Sequence, residues 1–292
     1  FKQKTAYDIS LGLVGSEMCI RDRSGTGADE LFAGYERYRA VPLGQRWQAV
    51  PNVGKAVIRR LLELAPSGHG KRSLAHRAKR FVSSADRDAL GRHREIVSLF
   101  PGADTAFRPE FLEAIDNVDD PLCAAARSAS GMSDLDRLMH VDRQTLLPGD
   151  YLAKDDRTSM AVSLELRVPF LDHTFVEFAA TVPERMKLRG LATQHLLQQA
   201  ASELLPESII QRPKHGFELP VAHWIGNELR NHVSDLLLAP DALHRSVLIE
   251  GLVDRTMADH LSGRENRRRE IWSLMALEMW HRASVPTVGR AV

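Results

Sequence analysis

The chain has 292 residues, 43% of them hydrophobic and 26% charged, an ordinary globular balance with enough apolar material for one large or two modest cores. Its 39 Lys and Arg stand against 38 Asp and Glu, so no overall bias argues for nucleic acid or an anionic membrane surface as partner. No apolar run approaches the roughly 20 residues of a membrane span, a signal peptide's apolar core and cleavage site are missing, and Cys19 and Cys123 make no CxxC pair; unpaired thiols in a cytoplasmic protein are expected.

Residues 1–23, FKQKTAYDISLGLVGSEMCIRDR, show neither a helical nor an alternating period. The run is similar to translated sequencing-adapter DNA and is expected to be non-native, leaving residues 24–292 as part of one domain entered near Ser24. From there the pattern is helical, punctuated by Pro and Gly, and convincing alternating strands are few.

The run Ser24-Gly25-Thr26-Gly27-Ala28-Asp29-Glu30 places glycines before an acidic pair that opens a helix, which allows close backbone approach and favours an anion at the helix start. A carboxylate beside bound phosphates is the usual way to hold Mg²⁺. On spacing alone, such a turn is more often plain helix initiation. Further on, Lys55, Arg59, Arg60, Lys71, Arg72, Arg77, Lys79 and Arg80 stand against the lone acid Glu63. They read as a solvated helix face before a nucleic-acid surface.

A helix is predicted after Ser133, with Leu135, Leu138, Met139 and Leu146 on its apolar stripe, ended by Pro148-Gly149. The charged run Lys154-Asp155-Asp156-Arg157 reads by itself as a solvated face. A second helix is expected from the cap Asp172, burying Phe175, Phe178, Ala179 and Val182. Lys214 lies in the loop Arg212–Phe217, where an ordinary surface lysine is the plain reading and a point charge for a leaving phosphate the functional one. A third helix is predicted from Pro220, with Val221, Trp224, Ile225, Leu229, Val233 and Leu236 as a continuous stripe. The basic run of Arg264–Glu270 is broken by acids and opens a helix ending near Trp280.

Three segments together carry a resemblance. SGTGADELFAGY (24–35), DDRTSMAVSLELRVPFLD (155–172) and KHGF (214–217) resemble, in order and wording, the motifs of glutamine-dependent asparagine synthetases. The resemblance runs from Ser24 to about Trp280. It implies a mostly α-helical chain that is the C-terminal portion of an α/β adenine-nucleotide α-hydrolase-like synthetase domain of the PP-loop ATP pyrophosphatase kind. It further implies adenylation of a carboxylate, aspartate or a related acid, by ATP, then attack by glutamine-derived ammonia. Asp29 becomes the Mg²⁺ ligand and Lys214 the catalytic lysine. Ser24, Gly25, Gly27, Asp155, Asp156, Glu165 and Arg167 become candidates for nucleotide or substrate contact or for ion pairs. A homodimer is among the assemblies it admits.

Two departures matter. The family's SGGxDSS phosphate loop and N-terminal-cysteine glutaminase do not occur in the chain, so this portion alone is expected to be inactive. Thr26 stands where asparagine synthetases often carry an acid, and a threonine hydroxyl is a poor base at neutral pH. That opens the acceptor to a sugar, peptide or natural-product carboxylate, and admits a catalytically degenerate helical scaffold.

Overall fold

The computed structural model describes residues 21–64, 74–98, 100, 103–116, 118–212 and 219–284. Residues 1–20, Cys19 among them, together with Lys71, Arg72 and Lys214, lie outside these. Among the described residues the chain is predominantly helical, with one two-stranded sheet. It divides into two compact units, residues 1–96 with 120–212 and residues 97–119 with 213–292.

In the first unit, β1 (Arg21–Arg23) leads into α1 (Ala28–Leu31), and far along the chain come α2 (Asp134–Gln144), α3 (Ala153–Met160) and β2 (Glu165–Arg167). Of the segment expected to be non-native, residues 21–23 form β1, which pairs in parallel with β2, Arg21 opposite Glu165 and Arg23 opposite Arg167, and the Ser24 N–H extends the ladder to the Arg167 carbonyl at 2.8 Å. Main-chain groups alone make such a ladder, which is how a segment without an apolar pattern joins it.

Helix α2 starts as expected, the Ser133 hydroxyl accepting from the Asp136 N–H at 3.2 Å while Leu135, Leu138 and Met139 are buried. Its end is different. Pro148-Gly149 does not stop the chain: α2 closes at Thr145, whose hydroxyl donates to the Val141 carbonyl at 2.7 Å, and a π-helical turn over Leu147–Leu152 runs directly into α3. Pro148 occupies the first turn, where its missing N–H removes no hydrogen bond. Leu147 takes the buried place expected of Leu146, which is half-buried.

Asp172 caps the helix His173–Thr181 by accepting from the Thr174 N–H at 3.0 Å. Ala179 and Val182 are buried, but Phe178 is 58% exposed. The buried face is centred on Phe175, Val176 and Ala179, and Phe178 lies at its rim, 6.3 Å from the Phe175 ring. Phe32 packs against Phe170 and Phe175, with ring centroids 6.5 and 5.9 Å away. This aromatic cluster joins the chain after α1 to the segment after β2, and a fully buried side chain such as Leu31 (1% exposed) adds about 2 kcal/mol. Lys55 and Arg59 of the basic stretch sit 5.9 and 5.7 Å from the Trp47 ring, and Arg59 pairs with Asp86.

The second unit buries Ile225, Val233, Leu237, Val253, Met257 and Ile271 in one cluster. The single helix expected from Pro220 is two helices, Val221–Gly226 and Arg230–Leu237. Asn227 breaks it: its side-chain amide donates to the His223 carbonyl at 2.9 Å, and the Leu229 N–H reaches back five residues to Trp224 at 2.7 Å. Short polar side chains that bond nearby backbone compete with helical continuation in this way. In the Arg264–Glu270 run, Arg264 pairs with Asp259 at 2.6 Å and Arg267 with Glu265 and Glu270 at 2.5 and 3.1 Å.

Candidate functional site

The glycine loop between β1 and α1 is shaped by its own small residues. Gly27 has φ +96°, and a Cβ there would strike the Leu171 side chain at 2.4 Å. At Gly34 a Cβ would fall 1.9 Å from Asp29 Oδ1. Glycine suits the first position by its backbone conformation, and at the second a Cβ would have to displace the ends of the Asp29 and Gln194 side chains. By contrast, among the described residues nothing lies within 4 Å of where a Cβ on Gly25 would stand.

Two hydroxyls organise the loop. The Thr26 N–H donates to Ser24 Oγ at 3.1 Å, the two side-chain oxygens are 2.7 Å apart, and the Thr26 hydroxyl donates to Asp155 Oδ2 at 2.6 Å. Thr26 has one O–H, already given to Asp155, so the Ser24 hydroxyl donates to Thr26. A chain of hydrogen bonds therefore runs from Ser24 through Thr26 to a carboxylate on α3.

Asp29, in the first turn of α1, accepts from the Gln194 side-chain amide at 2.6 Å. Gln194 holds φ +53° just before the helix His195–Ala201, a conformation few non-glycine residues adopt. Glu30 is buried, and its Oε1 accepts from the Tyr35 hydroxyl at 2.6 Å, while Oε2 has no partner among the described residues. Burial raises the Glu30 pKa above the ordinary carboxylate range, with the charges of Asp29 and Asp142 adding to it against the Tyr35 hydrogen bond. Burial likewise pushes Tyr35 up.

Below α1 lies a second acid. Asp142, fully buried on α2, accepts from Tyr38 at 2.6 Å and from Arg37 at 2.9 and 3.1 Å, and pairs with His93 Nε2 at 2.8 Å. Burial opposes its ionisation, but the His93 hydrogen bond and charge, with Arg37 and Tyr38, carry its pKa below the usual value. The Arg37 guanidinium also lies 3.7 Å from the centre of the Tyr35 ring, which stacks on Tyr151 at 5.9 Å.

Of the residues singled out in the sequence, the structure brings Ser24, Thr26 and Asp155 together. Asp156, one residue on, is exposed. Glu165 and Arg167 pair with each other at 2.5 Å, and Asp172 is a helix cap. Sequence reasoning missed Gln194, for which no local signal exists, and Asp142. The latter had one: it occupies the i+7 place on the stripe of Leu135, Leu138 and Met139, where an apolar residue belongs. No group of three or more His, Cys, Asp or Glu positioned to hold a metal occurs among the described residues, and no helix there is long and apolar enough to cross a membrane.

Comparison with known proteins points one way. A family model described as asparagine synthase matches residues 24–282. The chain is 28% identical over 277 residues to asparagine synthetase [glutamine-hydrolyzing] 1 of Bacillus subtilis, covering 90% of this chain and 40% of the relative. It is 32% identical over 266 residues to a putative asparagine synthetase [glutamine-hydrolyzing] of Mycobacterium bovis, covering 88% and 38%. A 65-residue stretch is 45% identical to the Cricetulus griseus asparagine synthetase [glutamine-hydrolyzing], covering 21% of this chain. The chain thus spans about 40% of the length of the curated relatives it matches most extensively.

Proposed function

This chain belongs to the asparagine synthase family, and from that membership we propose that it is the C-terminal portion of a synthetase domain that makes an amide from a carboxylic acid, ATP and glutamine-derived ammonia. A carboxylate is a poor electrophile; transfer of AMP from ATP gives it a leaving group, with pyrophosphate released. Ammonia then attacks the acyl-adenylate, and AMP departs. The observation that supports this reading best is the hydrogen bond between two segments 129 residues apart, Thr26 on the glycine loop and Asp155 on the charged helix.

Within that reading Asp29 would hold Mg²⁺. It offers a half-buried carboxylate, a hard oxygen donor of the kind Mg²⁺ takes once or twice beside nucleotide phosphates. When bound, the ion neutralises phosphate charge as pyrophosphate leaves. Gln194 orients the Asp29 carboxylate, and Lys214 would bring a cation to the leaving group. The Glu165–Arg167 pair fits a structural role on β2. Aspartate is the acceptor the family suggests, and Thr26 leaves room for a related acid.

Product analysis tests this directly. The full-length protein, supplied with ATP, Mg²⁺, glutamine and aspartate, is expected to release AMP and pyrophosphate in step with asparagine; ADP and phosphate instead would overturn it. Residues 1–292 alone are expected to show no ATP–pyrophosphate exchange, and exchange by that chain would refute its reading as an inactive portion.

A further inference from the structure

Amide formation has a proton to dispose of. As the ammonia nitrogen bonds to the acyl carbon and the electron pair of the breaking C–O bond leaves with AMP, the nitrogen must give up H⁺ to become a neutral amide. Thr26 cannot take it, because a hydroxyl is a poor base at neutral pH. The carboxylates around the loop are differently placed. Asp29 is held by Gln194 and Glu30 is buried under Tyr35. Glu165 is paired with Arg167, and Asp156 sits about 100° around the helix from its neighbour.

Asp155 differs in being held by a hydroxyl of the loop itself. Its side chain is 20% exposed, so it is neither sealed in nor fully solvated, and Lys154 Nζ stands 3.6 Å from Oδ1. Its Oδ2 is fixed by the Thr26 hydroxyl, which is itself held by Ser24. The geometry therefore orients a carboxylate toward the loop hydroxyls on either side of Gly25.

We infer that Asp155 is the catalytic carboxylate that holds the nitrogen nucleophile and takes its proton as the amide forms, with Thr26 and Ser24 as the positioning residues that aim it. This rests on the amide-forming reading above. The carboxylic acid so formed returns its proton to solvent, and no further reactant is needed. The base of the reaction thus sits on α3 and reaches the glycine loop through a hydroxyl, instead of standing on the loop itself.

The test uses the full-length protein with ammonium chloride as nitrogen source and two readouts: ATP–pyrophosphate exchange, which needs no nucleophile, and amide formation, which does. Asp155→Asn is expected to lower kcat/KM for ammonium about 100-fold while exchange falls less than about threefold. Thr26→Val is expected to lower amide formation about tenfold, again sparing exchange. Because 2.6 Å separates Thr26 Oγ1 from Asp155 Oδ2, a longer acidic side chain at 26 can put a carboxylate near the same place. Thr26→Glu in the Asp155→Asn background should therefore restore much of the lost amide formation, which also shows that the asparagine variant folds. Equal loss of both readouts in Asp155→Asn, unchanged amide formation, or failure of the double variant to recover would each overturn the assignment and leave the proposed function standing. Absence of both exchange and amide formation in the unaltered protein would overturn the proposed function, and the assignment with it.

Discussion

Asp142 ionises inside the core because three donors converge on it, and each makes its loss costly. Asp142→Asn leaves the Arg37 guanidinium buried against a neutral amide, so a destabilisation of about 3–5 kcal/mol is expected, read from the denaturant midpoint at pH 7. Because the folded pKa of Asp142 is depressed, the stability it contributes is complete above the unfolded value of about 4 and fades as the pH falls below it. Glu30 has the opposite sign. Its folded pKa is raised, so its favourable contribution exists below about pH 4 and is lost as the pH rises through the folded value. Glu30→Gln, which keeps an acceptor for Tyr35, is expected to melt higher than the parent at pH 7. The gap should close by pH 4, and thermal melts at the two pH values check it.

At the scale of elements, caps were legible and continuity was not. Ser133 and Asp172 cap the helices they were expected to cap, since a short side chain accepting a first-turn N–H is a local event. Ser133→Ala is expected to cost about 1 kcal/mol, seen as a lower midpoint in urea. Pro148 and the Pro220 stripe misled for complementary reasons. A proline in a first turn permits a helix that its sequence seems to forbid, and apolar spacing continues across Asn227 although the backbone does not, because the second helix resumes facing the same core. The motif residues Ser24, Thr26 and Asp155 could be named from the sequence. Their hydrogen-bonded order depends on the π-helical turn and the parallel pairing of β1 with β2, which no spacing in the sequence announces.

For the molecule as a whole, two cores mean two sets of stabilising contacts. Leu237 is fully buried in the second unit, so Leu237→Ala is expected to cost about 2–5 kcal/mol. Hydrogen exchange should quicken in the helices Leu252–Leu261 and Arg268–Ser284 while amides of α2 in the first unit keep their protection; uniform loss would mean the two cores melt as one. The π-helical turn bears on the whole molecule in another way. Such a turn is an α-helix with one residue too many, and its wider i→i+5 winding absorbs the extra residue, so the helix beyond it keeps its facing. Deleting one residue from Leu147–Leu152 should therefore close the turn and leave Asp155 directed at Thr26. One residue inserted into α3 ahead of Asp155 meets no such slack: α-helical winding advances each residue by about 100°, and Asp155 would rotate away from Thr26 with nothing in the site itself having been mutated.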